Sequence, residues 1–418
     1  MNRRLSPAWT LAILTGLNLF NYIDRFVLSA VLTPMKAELG LTDGQAGRIA
    51  TAFMLGYFIT SPLFGYLGDR LPRKWLIAAG VFVWSLGTVL TGFAAGLGIL
   101  LAFRGLVGVG EASYATVSPS LISDNYAATK RNMALTIFYV AIPVGAAIGN
   151  ILGGAIATHH SWRHAFIFTG APGLLLALVL LPFREPARGA TEPGGAAAQT
   201  KPTLGDVAHL FRLPHYMLVV LGYTAYTFAL GAFGTWAPSF FVRVHHMTLE
   251  QSATFFGVMM VVTGLLGTFL GGYLAGLWQK RSASGYAWTI ALSTLGAVPL
   301  CALSLTLEVP ATAQACLAAG MFLLWFATGP VNTIILEAVP ANLHSSAMAV
   351  SIFMIHMFGD LWSSEIVGTL SDRWHSLREA VLILPAALFV AALLWIWLAL
   401  ITRPVAPAAT ATPAPALG

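Results

Sequence analysis

The chain contains twelve runs of about 20 mostly apolar residues, the length with which a helix crosses the hydrocarbon core of a bilayer. Their approximate limits are 9–31, 49–67, 75–92, 98–122, 133–157, 165–183, 216–240, 253–278, 286–305, 311–336, 346–370 and 380–401. Such runs allow few folds, because every backbone amide in lipid must be bonded within a helix or a closed barrel. The sequence therefore predicts an all-α membrane protein with twelve transmembrane helices.

Composition agrees with that prediction. Charged residues are only 9% of the 418 residues and hydrophobic residues are 57%, whereas about 25% of an average soluble domain is charged. The cations fall mainly in every second loop, which predicts that this side, with both termini, is cytoplasmic. The net charge of +6 therefore needs no nucleic-acid partner. Short loops without an N-x-S/T glycosylation site favour a location in the plasma membrane of a bacterium, which is its inner membrane.

The runs are arranged as two halves. We expect a six-helix bundle over 1–183, a cytoplasmic linker with a possible amphipathic helix over 184–213, a second six-helix bundle over 214–402 and a disordered cytoplasmic tail over 403–418. The halves also repeat, since MALTIF at 133–138 matches MAVSIF at 348–353. Two parallel repeats of six spans are typical of transporters whose halves move about a site at the membrane midplane.

Several charged residues lie inside the apolar runs. Arg104 and Glu111 stand in LLAFRGLVGVGEASY, and seven residues of helix rise by about 10 Å, so both side chains project from one face. A charge at membrane depth costs about 3 kcal/mol or more, and such residues usually line a polar pathway. The other intramembrane charges at similar depth are Asp24, Arg25, His356 and Asp360. We expect these groups to converge, either on a functional site or as structural ion pairs.

Three motifs resemble those of the major facilitator superfamily. The sequence GYLGDRLPRK at 65–74 is similar to the signature between the second and third spans, with Pro72 where glycine is usual. The residues from Arg104 to Ser113 resemble the signature of the fourth span. The glycines from Gly145 to Gly154 resemble the antiporter pattern of the fifth span, except that Asn150 replaces its proline. The resemblance implies the major facilitator fold of twelve helices in two pseudo-repeats.

Within the superfamily, four blocks are similar to the Spinster group of sphingosine-1-phosphate and lysophospholipid transporters. They are NYIDRF at 21–26, RGLVGVGEASY at 104–114, FYVAIPVG at 138–145, and the span from His356 through Asp372, in which Ser364 stands where the group tends to have proline. The resemblance implies alternating-access transport of an amphipathic lipid. A facilitator or exporter of small organic anions or drugs is the alternative.

We assign expected roles to these residues from their chemistry. A guanidinium matches phosphate oxygens, aromatic rings suit a lipid tail, and carboxylates at this depth can carry protons. Expected substrate-binding residues are Arg25, Arg104, Tyr114, Tyr139 and His356; expected proton-coupling residues are Asp24, Glu111 and Asp360; secondary candidates are Asn332, Glu337 and Trp325.

A gate is expected at the cytoplasmic side. Asp69 lies near the end of a span, where a carboxylate can meet the positive N-terminus of a neighbouring helix, and the adjacent cations can pair with acids of the same half. The expected gating residues are Asp69, Arg70, Arg73 and Lys74. A plain cation-rich loop would explain Arg73 and Lys74, but not Asp69.

Other classes of protein fit less well. Ser113 and Ser118 have no nearby His-Asp set, and His159-His160 has no evident further ligands, so an enzyme is not expected. A channel or a receptor does not need duplicated halves with a clasp. We expect no cofactor and no metal, a proton gradient as the driving force, the bilayer and a lipid-like substrate as partners, and a monomer.

Overall fold

The computed structural model describes residues 6–126, 128–179, 185, 204–340 and 343–402. No strand occurs within these ranges. The first half consists of α1 (Pro7–Leu39), α2 (Asp43–Arg70), α3 (Arg73–Thr91), α4 (Leu97–Ser123), α5 (Ala128–His159) and α6 (Trp162–Leu176). A short helix, α7 (Leu204–Leu210), precedes the second half. That half consists of α8 (Pro214–Val244), α9 (Leu249–Gln279), α10 (Gly285–Thr306), α11 (Pro310–Leu324), α12 (Thr328–Glu337), α13 (His344–Ile355), α14 (Leu361–Trp374), α15 (Leu377–Ala380) and α16 (Ile383–Ile401).

Ten helical stretches in the described ranges are long and apolar enough to cross a membrane. The remaining two predicted spans correspond to α6, which has only 15 described helical residues, and to the interrupted α13–α14 pair, which carries His356, Asp360 and Glu365. The all-helical prediction is therefore confirmed. The domain limits at 183, 213 and 402 stay predictions, because residue 183, most of the linker and the tail from 403 onwards lie outside the described residues.

The helices begin and end at capping residues rather than at the edges of the apolar runs. α1 continues through Pro34 to Leu39 and is closed by Gly40, whose φ of 62° lies in the left-handed region that favours glycine. α2 begins at Asp43, where Thr42 and Gln45 form a reciprocal capping box. Both helices therefore extend beyond the apolar runs, and the turn between α1 and α2 is short.

Two of the predicted spans are interrupted. The tenth is broken between α11 and α12 by a 3₁₀ turn at Trp325–Ala327, and the eleventh contains a π-helical turn at His356–Asp360 between α13 and α14. π-Turns insert a residue into the helical hydrogen-bond ladder and occur frequently at functional sites. No local sequence signal predicted either break.

The halves contact each other mainly through three pairs of helices: α2 with α14, α5 with α9, and α1 with α8. Their inter-half hydrogen bonds gather at one end of the molecule, which we call the closed end and define by Thr33, Asp43, Arg48, Arg243 and Asp372. The opposite end, where α2 ends and α3 begins, is called the far end.

Close packing of α2 on α4 positions the intramembrane charges. A Cβ added at Gly108 of α4 would lie 2.1 Å from the backbone oxygen of Phe53 in α2, which no side chain can tolerate. At Gly105, one turn earlier, a Cβ would lie 3.7 Å from the oxygen of Ala52, an ordinary contact distance. Gly108 is therefore required for the approach that brings Arg104 and Glu111 against the first two helices.

We expect Gly108→Ala to destabilise the protein by about 1–3 kcal/mol, the usual effect of overpacking, because α2 and α4 must separate. Gly105→Ala is the matched control and should be nearly neutral. Thermal unfolding of the two purified variants measures the difference. Equal melting temperatures would show that the α2–α4 contact is not under this steric constraint.

Candidate functional site

An ion pair between the first and fourth helices forms the centre of the site. The Nε of Arg25 donates to Oε2 of Glu111 at 3.0 Å, and Nη2 donates to the same oxygen. Glu111 is fully buried, whereas the side chain of Arg25 is 26% exposed. The guanidinium also lies against the rings of Tyr22 and Phe53, each 4.9 Å from its Cζ. Arg25 therefore joins a buried carboxylate to an accessible surface.

Arg104 is the second guanidinium of the site and is almost completely buried, with 1% of its surface exposed. Its Cζ lies 5.2 Å from the centre of the Phe53 ring, which the guanidinium of Arg25 also contacts. Its Nε and Nη1 have no hydrogen-bond partner among the described residues, and neither does Oε1 of Glu111. Buried donors without partners are costly, so the site holds hydrogen-bonding capacity that a ligand could satisfy.

Asp24 points away from its neighbour Arg25, because consecutive residues on a helix are about 100° apart. It is 1% exposed, and both carboxylate oxygens lack a hydrogen-bond partner among the described residues. Trp84 of α3 and Thr169 of α6 lie beside it. Asp24 therefore belongs to the interior of the first half, whereas Arg25 faces the space between the halves.

The second half contributes a histidine–aspartate pair. Nδ1 of His356 lies 3.0 Å from Oδ1 of Asp360, at opposite ends of the π-turn. Both side chains are partly exposed, 30% and 23% respectively. The six intramembrane groups therefore form two clusters, four groups in the first half and two in the second, rather than one.

A cavity separates the two clusters. Its walls come from α1, α2 and α4 on one side and from α8 and the π-turn region on the other. The polar residues of the lining are Arg25, Ser29, Arg104, Thr235, Asp360 and Ser364. The apolar part of the wall includes Phe26, Phe53, Met54 and Leu230. The cavity is thus cationic on the first half and acidic on the second.

The expected aromatic contacts differ in position. Tyr139 is 47% exposed, lies near Tyr22 and packs against Phe138, but it is not among the residues that line the cavity. Tyr114 is fully buried, its hydroxyl donates to the carbonyl of Leu14, and its ring packs on Trp84. The expectation that Tyr114 contacts substrate is therefore corrected: it is a core residue of the first half, because the face of α4 that carries it turns inward.

The predicted gating residues lie at the far end. Nη1 of Arg73 donates to Oδ2 of Asp124 at 2.5 Å, and Nε lies 3.8 Å from Glu185, so this cation pairs with acids of its own half as expected. The guanidinium of Arg70 lies 3.5 Å from the ring centre of Tyr66. The backbone N–H of Lys74 donates to Glu185 at 3.4 Å. The side chain of Asp69 lies outside the described residues, so its clasp stays a prediction.

The secondary candidates are dispersed through the second half. Asn332 donates to the backbone oxygen of Thr328 in its own helix. Trp325 lies in the 3₁₀ turn, and its buried Nε1 has no hydrogen-bond partner among the described residues. Glu337 is exposed at the far end, in a separate cavity with His215 and Tyr286. These three residues do not line the cavity between the halves.

Sequence reasoning missed a polar cluster at the closed end. Asp43 is 2% exposed and accepts hydrogen bonds from both terminal nitrogens of Arg243, at 2.8 and 2.9 Å, and from Ser371 at 2.6 Å. The backbone N–H groups of Asp43 and Gly44 donate to the carboxylate of Asp372, each at 2.7 Å. A usable signal existed, because GTLSDR at 368–373 repeats the GYLGDR of 65–70.

Comparisons with known proteins agree with this architecture. The family model described as Major Facilitator Superfamily matches residues 14–361. Protein spinster of Drosophila melanogaster is 34% identical over 88% of this chain, which spans only 62% of that relative's length. Protein spinster homolog 1 of Homo sapiens is 36% identical over 88% of this chain and 74% of the human protein. The sphingosine-1-phosphate transporter SPNS2 of Danio rerio is 32% identical over 90% of this chain and 77% of its own.

A solved structure has the same fold. It is a bacterial homolog to the human lysosomal transporter Spinster, in an inward-facing and unoccupied conformation, and it superposes with a TM-score of 0.87 at 23% sequence identity. The superposition covers 96% of this chain and 99% of that one.

Proposed function

Because the chain belongs to the major facilitator superfamily and, within it, to the spinster family, we propose that it transports an amphipathic lipid. The lipid is of the lysophospholipid or sphingosine-1-phosphate type. This integral membrane transporter moves it by alternating access, coupled to protons. The relative from Danio rerio is a sphingosine-1-phosphate transporter, which supports the lipid class. The observation that carries the proposal is a buried guanidinium, Arg104, with unpartnered donors on the wall of the cavity between the halves.

The charged headgroup binds at the cationic wall. Two nitrogens of Arg104, Nε and Nη1, have no partner among the described residues, and Arg25, held by Glu111, is partly exposed beside it. A planar guanidinium can donate two parallel hydrogen bonds to phosphate oxygens, which a lysine ammonium cannot do. Binding phosphate would supply the partners that these buried donors lack.

The apolar tail extends away from the guanidinium pair. Phe26, Phe53 and Met54 form the adjoining apolar wall, and each methylene removed from water contributes about 0.8 kcal/mol. The exposed side chains of Tyr139 on α5 and Phe358 in the π-turn lie on elements that border the space between the halves. The tail leaves this space between α5, α9 and α13, toward lipid.

The direction of opening follows from the closed end. The described inter-half hydrogen bonds lie between the cavity and that end, so the cavity opens toward the far end. The far end carries more cations, which makes it cytoplasmic with both termini on that side. With the cavity open to the cytoplasm, the conformation is inward-facing. We further propose a location in a bacterial inner membrane and a monomeric state, as expected from the sequence.

Protons are carried by the carboxylates of the first half. Asp24 is buried without partners and Glu111 is buried against Arg25, so the protonation of each depends on its solvent exposure and its distance from the guanidiniums. Both of these change when the halves move. A proton gradient can therefore drive substrate movement without a bound cofactor.

A facilitator or exporter of small organic anions or drugs remains the second candidate, because the cationic wall would also bind a small anion. Competition distinguishes the two. Lysolipids displace the ligand only if the cavity accepts a tail.

We expect Arg104→Lys to weaken binding of a phosphate-bearing lysolipid about tenfold or more, because the charge is kept but the paired donors are lost. A neutral analogue of equal tail length should bind almost unchanged. Binding to purified protein measures both affinities, and Arg281→Lys, at an exposed turn far from the cavity, is the control. Equal losses for the two ligands would assign Arg104 to the structure of the first half and remove the main support for phosphate recognition.

We expect Glu111→Gln, and separately Asp24→Asn, to abolish accumulation driven by a pH gradient while exchange of substrate down its own gradient continues. An amide keeps the size of the side chain but cannot carry the proton. Flux into proteoliposomes measures both modes, with Glu379→Gln, an exposed residue at the closed end, as the control. If both variants still concentrate substrate, the proton carrier lies elsewhere, and His356 and Asp360 become the candidates.

A further inference from the structure

The two helices that meet at the closed end run antiparallel. Thr51 of α2 donates to the backbone oxygen of Leu361, and toward the closed end Gly47 packs on Ser364 and Gly44 on Asp372. A Cβ at Gly47 would lie 2.2 Å from the Ser364 oxygen. The C-terminal end of α14 is therefore placed directly against the N-terminus of α2.

This placement gives the N-terminus of α2 a cap from the other half. The first N–H groups of a helix have no partner within it and carry a partial positive charge. Those of Asp43 and Gly44 each donate to a separate oxygen of the Asp372 carboxylate, at 2.7 Å. Asp372 thus binds both through two hydrogen bonds and through the charge at the helix end.

The side chain of Asp43 makes a second inter-half connection beside the first. Its two oxygens accept from Nη1 and Nη2 of Arg243, at the end of α8, in a bidentate pair. Ser371 also donates to it, while Lys36 of its own half contributes a further cation. With 2% of its surface exposed, Asp43 is shielded from water only as long as the two halves stay together at this end.

The sequence shows that this arrangement is one of a pair. The motif G-x-L-x-D-R ends α2 at 65–70 and recurs at the C-terminal end of α14, at 368–373. Since the helices are antiparallel, the two copies lie at opposite ends of the same interface. The second copy supplies Asp372, which corresponds to Asp69 of the first.

We propose that Asp372, with Asp43 and Arg243, forms a latch that holds the closed end shut and sets the balance between the two conformations of the transporter. The inference rests on alternating access, which belongs to the proposed function, but it requires neither a lipid substrate nor proton coupling. When the closed end opens, Asp372 leaves the N-terminus of α2 and Arg243 leaves Asp43, and water solvates all four groups. The latch is therefore a reversible contact whose loss favours the opposite conformation.

Cysteine labelling tests the latch without any substrate. The reporter of opening is Thr51→Cys, a nearly isosteric substitution at a position that is 2% exposed under the latch. The native Cys301, fully buried in the second half, reports unfolding. Protein in nanodiscs is treated with a water-soluble maleimide, and labelling of Cys301 and Cys316 is subtracted by using protein without the reporter. The latch variants are Asp372→Asn, whose amide has one oxygen for two N–H groups, and Arg243→Gln.

We expect both latch variants to label at position 51 about tenfold faster than the Thr51→Cys protein without a latch substitution. This factor corresponds to losing one helix cap. Glu379→Gln is the matched control, because it is an exposed acid just after α14 at the same end, and its side chain makes no inter-half contact among the described residues. Labelling of the latch variants at the rate of the Glu379→Gln control would overturn the proposal, even if transport itself is established. Parallel exposure of Cys301 would overturn it as well, since Asp372 would then stabilise the fold as a whole rather than the gate.

Discussion

The buried ion pair between Arg25 and Glu111 is the interaction on which the rest of the site depends. Glu111 is fully buried, and a buried carboxylate without a cation is strongly unfavourable, so α1 and α4 must meet at this depth. Their meeting places Arg104 beside Phe53 and encloses Asp24 between α1, α3 and α6. Gly108 permits the required approach of α2 to α4. One charge pair and one glycine therefore fix the cationic wall of the cavity.

The two halves contribute different chemistry to that cavity. The first half has a rigid cluster in which four charged groups are packed among aromatic rings. The second half has a π-turn that presents Asp360 and His356, and a 3₁₀ turn at Trp325. Broken helices expose backbone groups and allow local rearrangement, and in membrane proteins they are tolerated where they are covered by protein or border a cavity. The cationic wall suits the proposed recognition of a headgroup, and the interrupted helices suit movement.

Much of this architecture could be predicted from the sequence, because the signals for it are local or repeated. Apolar runs gave the helices, and the intramembrane charges gave Arg25, Arg104 and Glu111 as members of one cluster. The side on which a residue faces was less predictable: Tyr114 was expected in the cavity but packs in the core, since its spacing from Arg104 alone does not determine which neighbours cover it. The π-turn could not be predicted. The repeated G-x-L-x-D-R motif indicated Asp372 but not its partners, because the closed-end cluster depends on contacts between distant segments, such as Asp43 with Arg243 and Ser371.

The central claim is that movement of the two halves couples a proton gradient to transport of an amphipathic substrate through the cavity. Its most direct test is the uptake of a fluorescent lysophospholipid by the wild-type protein, reconstituted in sealed vesicles across which a pH gradient is imposed. The account predicts that the lipid accumulates above its equilibrium level and that collapsing the gradient with an ionophore releases the excess. Equilibration of the lipid to the same level with and without the gradient would contradict it.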